Sequence, residues 1–242
     1  MTAIDLSNKI ALVTGASRGI GKNMSLALAD AGARVILSAR DTRKLEQVDG
    51  EIRDRGGSAV VIPSDLAKEQ DIASLFEEIR RRFGRLDVSV HNAGIGHFED
   101  LADFPMDRFD DIFRVNMRGT FLCCKHAMKL MIPARAGYIV NISSMQGIKG
   151  YTKQSAYAAS KHGIMGMTKS LSAEAQKHNI RVSAILPGAV DTELISDARP
   201  DLDRSLLIPP EDISKALLFL LSLSDRAMVD MVVVRRSTAS PF

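Results

Sequence analysis

Short apolar runs recur along this chain, and amphipathic stretches of helical periodicity separate them. The alternation predicts a parallel sheet covered by helices on both faces, because parallel strands need crossover connections. Val60, Val61 and Ile62 are apolar in succession, as expected of a strand that is buried on both faces. Strands are predicted at Ile10 to Thr14, Arg34 to Ala39, Ala59 to Ile62, Leu86 to His91, Tyr138 to Ile142, Val182 to Leu186 and Met231 to Val234.

Composition narrows the class of protein. The 242 residues fit a single domain over positions 1–242, and 45% hydrophobic with 25% charged residues excludes a disordered or disulfide-stapled chain. A net charge of +3 gives no dense basic face, so we expect neither nucleic acid nor a membrane as partner. The adjacent Cys123 and Cys124 cannot form an ordinary disulfide, and the first residues lack a signal-peptide pattern. We therefore expect a cytoplasmic protein without a metal site.

A glycine cluster, Thr14-Gly15-Ala16-Ser17-Arg18-Gly19-Ile20-Gly21, joins the first predicted strand to the first predicted helix. At this position a helix directs unpaired backbone N–H groups into the crevice at the carboxyl ends of the strands, where they can bind phosphate. Gly15 would allow the tight turn, Gly19 the approach of a pyrophosphate, and Gly21 close packing of helix on strand. A simple turn is the alternative at this point.

The end of the second predicted strand reads Ser38-Ala39-Arg40. Enzymes that bind dinucleotides use a carboxylate here for a free ribose 2′-hydroxyl, or a cation for a 2′-phosphate. No acid is present, and Arg40 together with Arg18 could hold a phosphate. This pattern favours NADP(H) over NAD(H), the alternative being that both arginines are only solvated.

Tyr157 and Lys161 are one helical turn apart, so their side chains project from the same face of a predicted helix. We expect the ammonium to lower the pKa of the phenol, which would make Tyr157 usable as an acid or base. Ser144, at the end of the fifth predicted strand, could donate a hydrogen bond to a developing oxyanion. By itself, a Tyr and a Lys at this spacing also fit an ordinary solvated helix face.

Taken together, the glycine cluster, Asn92-Ala93-Gly94, Asn116, Ser144 and Tyr157-x-x-x-Lys161 resemble the motifs of the short-chain dehydrogenase/reductase family. The resemblance extends from Lys9 to Thr192 and fits the single-domain branch of the family. It implies a Rossmann-like, doubly wound α/β fold built on a seven-stranded parallel sheet with helices on both faces.

The family's catalytic roles carry over to four residues. The resemblance implies that Tyr157 is the general acid or base, and that Ser144 orients the substrate carbonyl. Lys161 would bind the nicotinamide ribose, and Asn116 would hold a water that links Lys161 to solvent. Cofactor contacts are implied, besides Tyr157 and Lys161, for Gly15, Ser17, Arg18, Gly19, Ile20, Gly21, Arg40, Asp65, Leu66, Asn92, Ala93, Gly94, Pro187, Gly188, Val190 and Thr192.

The expected activity is NADPH-dependent interconversion of a ketone and a secondary alcohol. One alternative is a 3-ketoacyl carrier-protein reductase, and another is a protein that senses NADP(H) without catalysis. An NAD-linked hydroxysteroid or sugar-alcohol oxidoreductase would need an acid near Ala39, which is absent. The expected pocket for a small carbonyl or alcohol substrate is lined by His97, Gln146, Tyr151 and Leu194, although His97 could instead be a surface-loop residue.

The chain departs from the family at its carboxyl end, where family members commonly carry glycines around the last strand. Here the sequence reads Val229-Asp230-Met231-Val232-Val233-Val234-Arg235-Arg236. That region usually builds one face of a tetramer. We therefore expect a homodimer or homotetramer, with the dimer favoured through helices spanning Asn116 to Met131 and Ser155 to His178.

Overall fold

The computed structural model describes residues 4–198 and 202–240. Within them, seven parallel strands form one sheet in the order β3-β2-β1-β4-β5-β6-β7. The strands are β1 (Ile10–Thr14), β2 (Arg34–Ser38), β3 (Ser58–Val61), β4 (Val88–His91), β5 (Gly137–Ile142), β6 (Ile180–Pro187) and β7 (Met231–Val234). The predicted doubly wound fold is confirmed, since the strand order reverses direction between β1 and β4.

Helices cover both faces of the sheet. The helices are α1 (Gly19–Asp30), α2 (Thr42–Asp54), α3 (Glu69–Phe83), α4 (Met106–Ile112), α5 (Thr120–Ala134), α6 (Ser155–Gln176), α7 (Glu193–Ala198) and α8 (Pro210–Ser222). Buried side chains of α1, α2 and α8 pack in one hydrophobic cluster, and those of α3, α5 and α6 contribute to a second. The sheet therefore has no solvated face, which explains why its strands are apolar on successive residues.

Local sequence signals account for several helix ends. The Asp41 side chain caps α2 by accepting a hydrogen bond from Lys44 N at 3.1 Å. Gly84 ends α3 in the left-handed conformation with a φ of 66°, which glycine adopts without steric cost. Pro210 begins α8, and Glu211 and Asp212 follow in its first turn, where negative charge suits the helix dipole.

The predicted strand bounds hold for β1 and β7 and shift elsewhere by one or two residues. Strand β6, next to the edge strand β7, is longer than predicted because β5 and β7 pair with it on both sides. The corrected bounds are those of β2 (to Ser38, not Ala39), β3 (Ser58–Val61, not 59–62), β4 (from Val88, not Leu86), β5 (from Gly137, not Tyr138) and β6 (Ile180–Pro187, not 182–186).

Two further features position the site. A π-helical turn, Phe113–Gly119, joins α4 to α5 and buries Asn116 completely. The stretch between β6 and α8 contains α7 and a 3₁₀ turn at Arg204–Leu206, and a single bridge between Val190 and Ile208 closes its base. None of the helices in the described residues is both long and apolar enough to span a membrane.

Candidate active site

A crevice of about 530 Å³ opens at the carboxyl ends of the strands, next to the reversal of strand order. Most predicted site residues line it. These are Gly15, Ser17, Arg18, Gly19, Ile20, Arg40, Asp65, Leu66, Asn92, Ala93, Gly94, Ser144, Gln146, Tyr151, Tyr157, Lys161, Pro187, Gly188, Val190, Thr192 and Leu194. Gly21 and Asn116 lie behind its wall, and His97 lies outside its lining.

The glycine loop is closed against the end of β4. Gly15 has a φ of 67°, and a Cβ there would lie 2.9 Å from the Ala93 Cα. A Cβ on Gly21 would overlap the Gly15 carbonyl oxygen. Asn92 Nδ2 fixes the loop by donating a hydrogen bond to Thr14 O at 3.1 Å. The loop therefore needs glycine at both positions, and the backbone at the start of α1 faces the crevice unobstructed.

The adenine end of the crevice carries two orphaned hydroxyls. Ser38 Oγ, at the end of β2, and Ser64 Oγ are buried and have no hydrogen-bond partner within the described part of the chain. Buried polar groups are normally paired, so a ligand that supplies donors and acceptors here would satisfy them. Arg40 is exposed beside them and makes no ion pair with any described residue. Together with the glycine cradle, these groups fit a phosphorylated dinucleotide.

Arg18 does not join Arg40 in the expected clamp. Its Nη1 instead forms an ion pair with Glu193 Oε2 at the start of α7. Side chains of both residues are more than half exposed, at 54% and 56%, so the pair contributes little stability and can exchange. The Arg18 side chain is thus paired with a carboxylate from the segment that follows β6. The sequence did not indicate this pairing, because the two residues are far apart along the chain.

The predicted catalytic side chains meet in the middle of the crevice. The Tyr157 phenol and the Ser144 hydroxyl are both buried and line the crevice, and Ser144 is near enough to act on the pKa of the phenol. The Lys161 Nζ donates a hydrogen bond to Ile142 O at 3.0 Å and lies 5.6 Å from the centre of the Tyr157 ring. Ser144 and Tyr157 thus present two hydroxyls side by side, with a lysine behind them.

The expected lowering of the tyrosine pKa is not found. Burial raises the pKa of Tyr157 to about 12, and the neighbouring Ser144 hydroxyl opposes this only in part. Burial also lowers the pKa of Lys161 to about 8. The prediction that the ammonium would lower the phenol pKa is wrong for this structure, because burial is the largest influence on that pKa and raises it.

Asn116 links two walls of the crevice. Its Nδ2 donates hydrogen bonds to Ile95 O at 2.9 Å and Ser160 Oγ at 3.2 Å, and its Oδ1 accepts one from Ile95 N at 2.8 Å. A Cβ on Gly94 would lie 3.3 Å from Asn116 Oδ1 and 3.6 Å from Lys161 Nζ. Asn116 therefore holds the segment after β4 against the helix that carries Tyr157 and Lys161.

At the substrate end, His97 packs edge-on against Phe104 with ring centres 5.4 Å apart, and does not line the crevice. The expected pocket residue is replaced by its neighbour Phe98, whose ring lies 5.7 Å from that of Tyr157. The alternative that His97 belongs to a loop outside the pocket describes its placement better. The sequence offered one indication of this exchange. Successive side chains of an extended segment point to opposite sides, so His97 and Phe98 are not expected to face the same pocket.

Gln146 is hydrogen-bonded to Ser144, the serine that is predicted to orient the substrate carbonyl. Ser144 Oγ donates to Gln146 Oε1, and Gln146 Nε2 donates to Gln154 Oε1 at 2.6 Å. Gln154 precedes α6, is buried and lines the crevice, although no motif in the sequence indicated it. Three further residues that line the crevice were not predicted from the sequence: Lys44, Arg235 and Arg236.

Comparisons with known proteins identify the family of this chain. The sequence model described as short chain dehydrogenase matches residues 9–203. The chain belongs to the short-chain dehydrogenase/reductase family. It is 35% identical over 214 residues to an uncharacterized oxidoreductase, YxjF, of Bacillus subtilis, covering 88% of this chain and 83% of that protein.

Two solved structures of short-chain dehydrogenases/reductases are similar over nearly their whole length. One is a short-chain type dehydrogenase/reductase from Mycobacterium marinum, with a TM-score of 0.91, 32% identity and coverage of 99% and 98% of the two chains. The other is a metagenomic short-chain oxidoreductase in complex with NADP, with a TM-score of 0.85, 34% identity and coverage of 97% and 99%. As a short-chain dehydrogenase/reductase, this chain is an oxidoreductase of CH–OH groups.

Proposed function

We propose that this chain is an NADPH-dependent oxidoreductase that interconverts a ketone and a secondary alcohol, with Tyr157 as the general acid and base. The observation that carries the proposal is that the buried Tyr157 phenol and the Ser144 hydroxyl line the same crevice as the glycine loop. A hydroxyl pair of this kind can bind one carbonyl oxygen from two sides.

In the reductive direction, Tyr157 gives its proton to the carbonyl oxygen and Ser144 donates a hydrogen bond to it. The Tyr157 phenol is protonated at neutral pH, as a proton donor must be, although its raised pKa makes it a weaker acid than a free phenol. NADPH, when bound, supplies the hydride. Lys161 would contact the nicotinamide ribose, and its ammonium would help Tyr157 to recover a proton. Asn116 would support this recovery through a bound water.

The preference for NADP(H) rests on the adenine end. Arg40 is free to meet a 2′-phosphate, and β2 ends in Ser38 without a carboxylate. The similar metagenomic oxidoreductase is in complex with NADP, which supports the same cofactor here. Ser38, Ser64, Asp65 and Leu66 would contact the adenosine, while NAD(H) is the alternative cofactor.

The direct test is a panel of ketones, ketoacyl thioesters, quinones and keto-sugars, with NADPH consumption followed optically. We expect oxidation of NADPH with at least one carbonyl class, and a ketoacyl thioester as best substrate would identify a 3-ketoacyl carrier-protein reductase. Tight NADPH binding without turnover on the whole panel would refute the enzymatic proposal and favour an NADP(H) sensor.

The proposal includes a homodimer or homotetramer. Phe121 at the start of α5 is 52% exposed, and it borders an apolar depression with Phe113 and Met117. An apolar surface of this kind suits a subunit contact, and sedimentation velocity would give the number of chains.

A reducing cytoplasm is supported by Cys123 and Cys124, which are both buried as free thiols.

A further inference from the structure

Two consecutive arginines follow the last strand and line the crevice. Val232, Val233 and Val234 pair with Ile185, Leu186 and Pro187, which places Arg235 beside Gly188. The Gly188 N donates to Val234 O at 2.7 Å, and a Cβ on Gly188 would lie 3.3 Å from the Arg235 Cα. Arg235 and Arg236 therefore lie beside Pro187 and Gly188, which the family resemblance assigns to the cofactor.

The arginine pair is held in place, and within residues 4–198 and 202–240 no acidic side chain neutralises it. Arg235 Nη1 donates to Arg236 O at 3.1 Å and to Ala239 O at 2.7 Å, so the tail braces the guanidinium. Both residues are half-buried, and neither forms an ion pair with any described residue. Half-buried, unpaired guanidinium groups attract an anion strongly, because water screens their charge less than it would at a free surface.

Strand order separates the pair from the phosphate sites of the cofactor. Neighbouring strands are about 4.8 Å apart, so the end of β7 lies roughly 24 Å from the end of β2, where Arg40 is placed. The same spacing puts it roughly 19 Å from the glycine loop after β1. By contrast, only two spacings, roughly 10 Å, separate Arg235 from Ser144 at the end of β5. An anion bound here would belong to the substrate.

We infer that Arg235 and Arg236 bind an anionic group, a carboxylate or a phosphate, of a substrate whose carbonyl is held by Ser144 and Tyr157. This inference rests on the proposed function and names its substrate class: oxo acids or phosphorylated ketones, and the corresponding hydroxy compounds. The acidic residues that line the crevice do not compete, since Asp41 caps α2 and Glu193 is paired with Arg18. Asp65 accepts from Ala67 N in its own turn.

The experiment compares matched substrates that differ only in the anion. Acetoacetate and levulinate are each compared with their methyl esters, and dihydroxyacetone phosphate with dihydroxyacetone, as kcat/KM values with NADPH. We expect the wild-type protein to prefer the anionic member of at least one pair. The carboxylate and phosphate arms then distinguish the two sources of charge.

In Arg236→Gln, the preference for the anionic member should fall by about 10- to 100-fold through KM, as for the loss of a charge-assisted hydrogen bond. Arg236→Lys should retain part of the preference, and Arg235→Gln should reduce it as well. Arg226→Gln is the matched control, because Arg226 is exposed, lies outside the crevice lining and carries the same charge. The dissociation constant of NADPH, measured by fluorescence, should not follow the loss of preference.

Equal kcat/KM values for all charged and neutral partners in the wild-type protein would overturn the inference, and so would an unchanged preference in Arg236→Gln. Turnover of neutral ketones alone would leave the proposed function standing while the inference fails. If neither these probes nor any carbonyl compound of the panel is reduced, the proposed function fails. Calorimetry with the NADP⁺-loaded protein then decides the inference, by comparing levulinate with its methyl ester and dihydroxyacetone phosphate with dihydroxyacetone, because only tighter binding of a charged member agrees with it.

Discussion

At the scale of single residues, burial controls the chemistry of the site more strongly than the sequence spacing indicates. Tyr157 and Lys161 were predicted to be neighbours from their separation by one helical turn, and they are. The sign of the tyrosine pKa shift was not predictable, because it depends on the desolvation of both groups by distant parts of the chain. The Tyr157 phenol is thus protonated at neutral pH, and Lys161 loses its proton more readily than an exposed lysine.

Arg40→Ala tests the cofactor preference at the same scale. Removing the guanidinium should weaken NADPH binding by about 10- to 100-fold, the usual effect of losing a charge-assisted contact to phosphate. NADH binding should change little, because NADH has no 2′-phosphate. Titration of protein fluorescence with both cofactors measures the two effects. Tighter binding of NADH than of NADPH by the wild-type protein, or an unaltered NADPH preference in the variant, would refute the assignment.

At the scale of elements, the glycine loop depends on steric exclusion, which a pair of variants can test. Gly21→Ala places a Cβ against the Gly15 carbonyl, so it should abolish NADPH binding and lower the stability of the fold. Gly166→Ala is the control, because it is an exposed position of α6 with nothing within 4 Å of the new Cβ. That change should raise the free energy of unfolding by roughly 0.5–1 kcal/mol through helix propensity.

Thermal unfolding and NADPH titration of both glycine variants check this prediction. Normal cofactor binding by Gly21→Ala would show that the loop tolerates a side chain. In that case the steric account of the glycine cluster is wrong.

The strands were predictable from the sequence, because burial on both faces of the sheet makes their residues apolar in succession. The runs that became β1 and β7 were correctly bounded, and the remaining strands shifted only where neighbouring strands extended or shortened the ladder. The π-helical turn around Asn116 was not predictable, because no residue type there distinguishes it from an ordinary α-helix. The Arg18–Glu193 pair also depends on how α7 returns to the glycine loop, which is a property of tertiary structure.

At the scale of the whole molecule, a buried polar chain links two strands of the sheet to the catalytic helix. His91 lies between Ser89 Oγ and Asn141 Oδ1, each at 2.8 Å, and Asn141 Nδ2 donates to Thr168 Oγ1 at 2.9 Å. Thr168 belongs to α6, which also carries Tyr157. These contacts connect β4, β5 and α6 across the centre of the molecule, so the stability of the fold and the geometry of the site are coupled.

The stability of the fold should therefore fall in mild acid. Burial lowers the pKa of His91 from 6.5 to about 4. The unfolded chain takes up a proton on this residue below about pH 6.5 while the folded protein does not, so protonation favours unfolding. The His91 contribution is fully present above about pH 6.5 and is lost progressively toward pH 4, with a total of about 3 kcal/mol.

Urea unfolding of the wild-type protein and His91→Gln between pH 4 and pH 7.5 measures this effect. The variant should be less dependent on pH, because glutamine keeps hydrogen-bonding groups but does not titrate in this range. Identical pH dependence in the two proteins would contradict the role given to His91.

The position of the carboxyl-terminal tail was not predictable from the family motifs. Its lack of glycines was visible in the sequence, but its position against Gly188 and the crevice was not, since it follows from the pairing of β7 with β6. Family motifs covered the cofactor side of the site. Arg235 and Arg236, which also line the crevice, lie outside those motifs.

The central claim is that the Tyr157 hydroxyl supplies the proton to the carbonyl oxygen. Tyr157→Phe removes that hydroxyl and little else, so it tests the claim most directly, using kcat/KM on the best carbonyl substrate together with NADPH binding. We expect kcat/KM to fall by about 10²- to 10⁴-fold, while the dissociation constant of NADPH stays close to that of the wild-type protein. Reduction of the same substrate by Tyr157→Phe at nearly the wild-type rate would contradict the account.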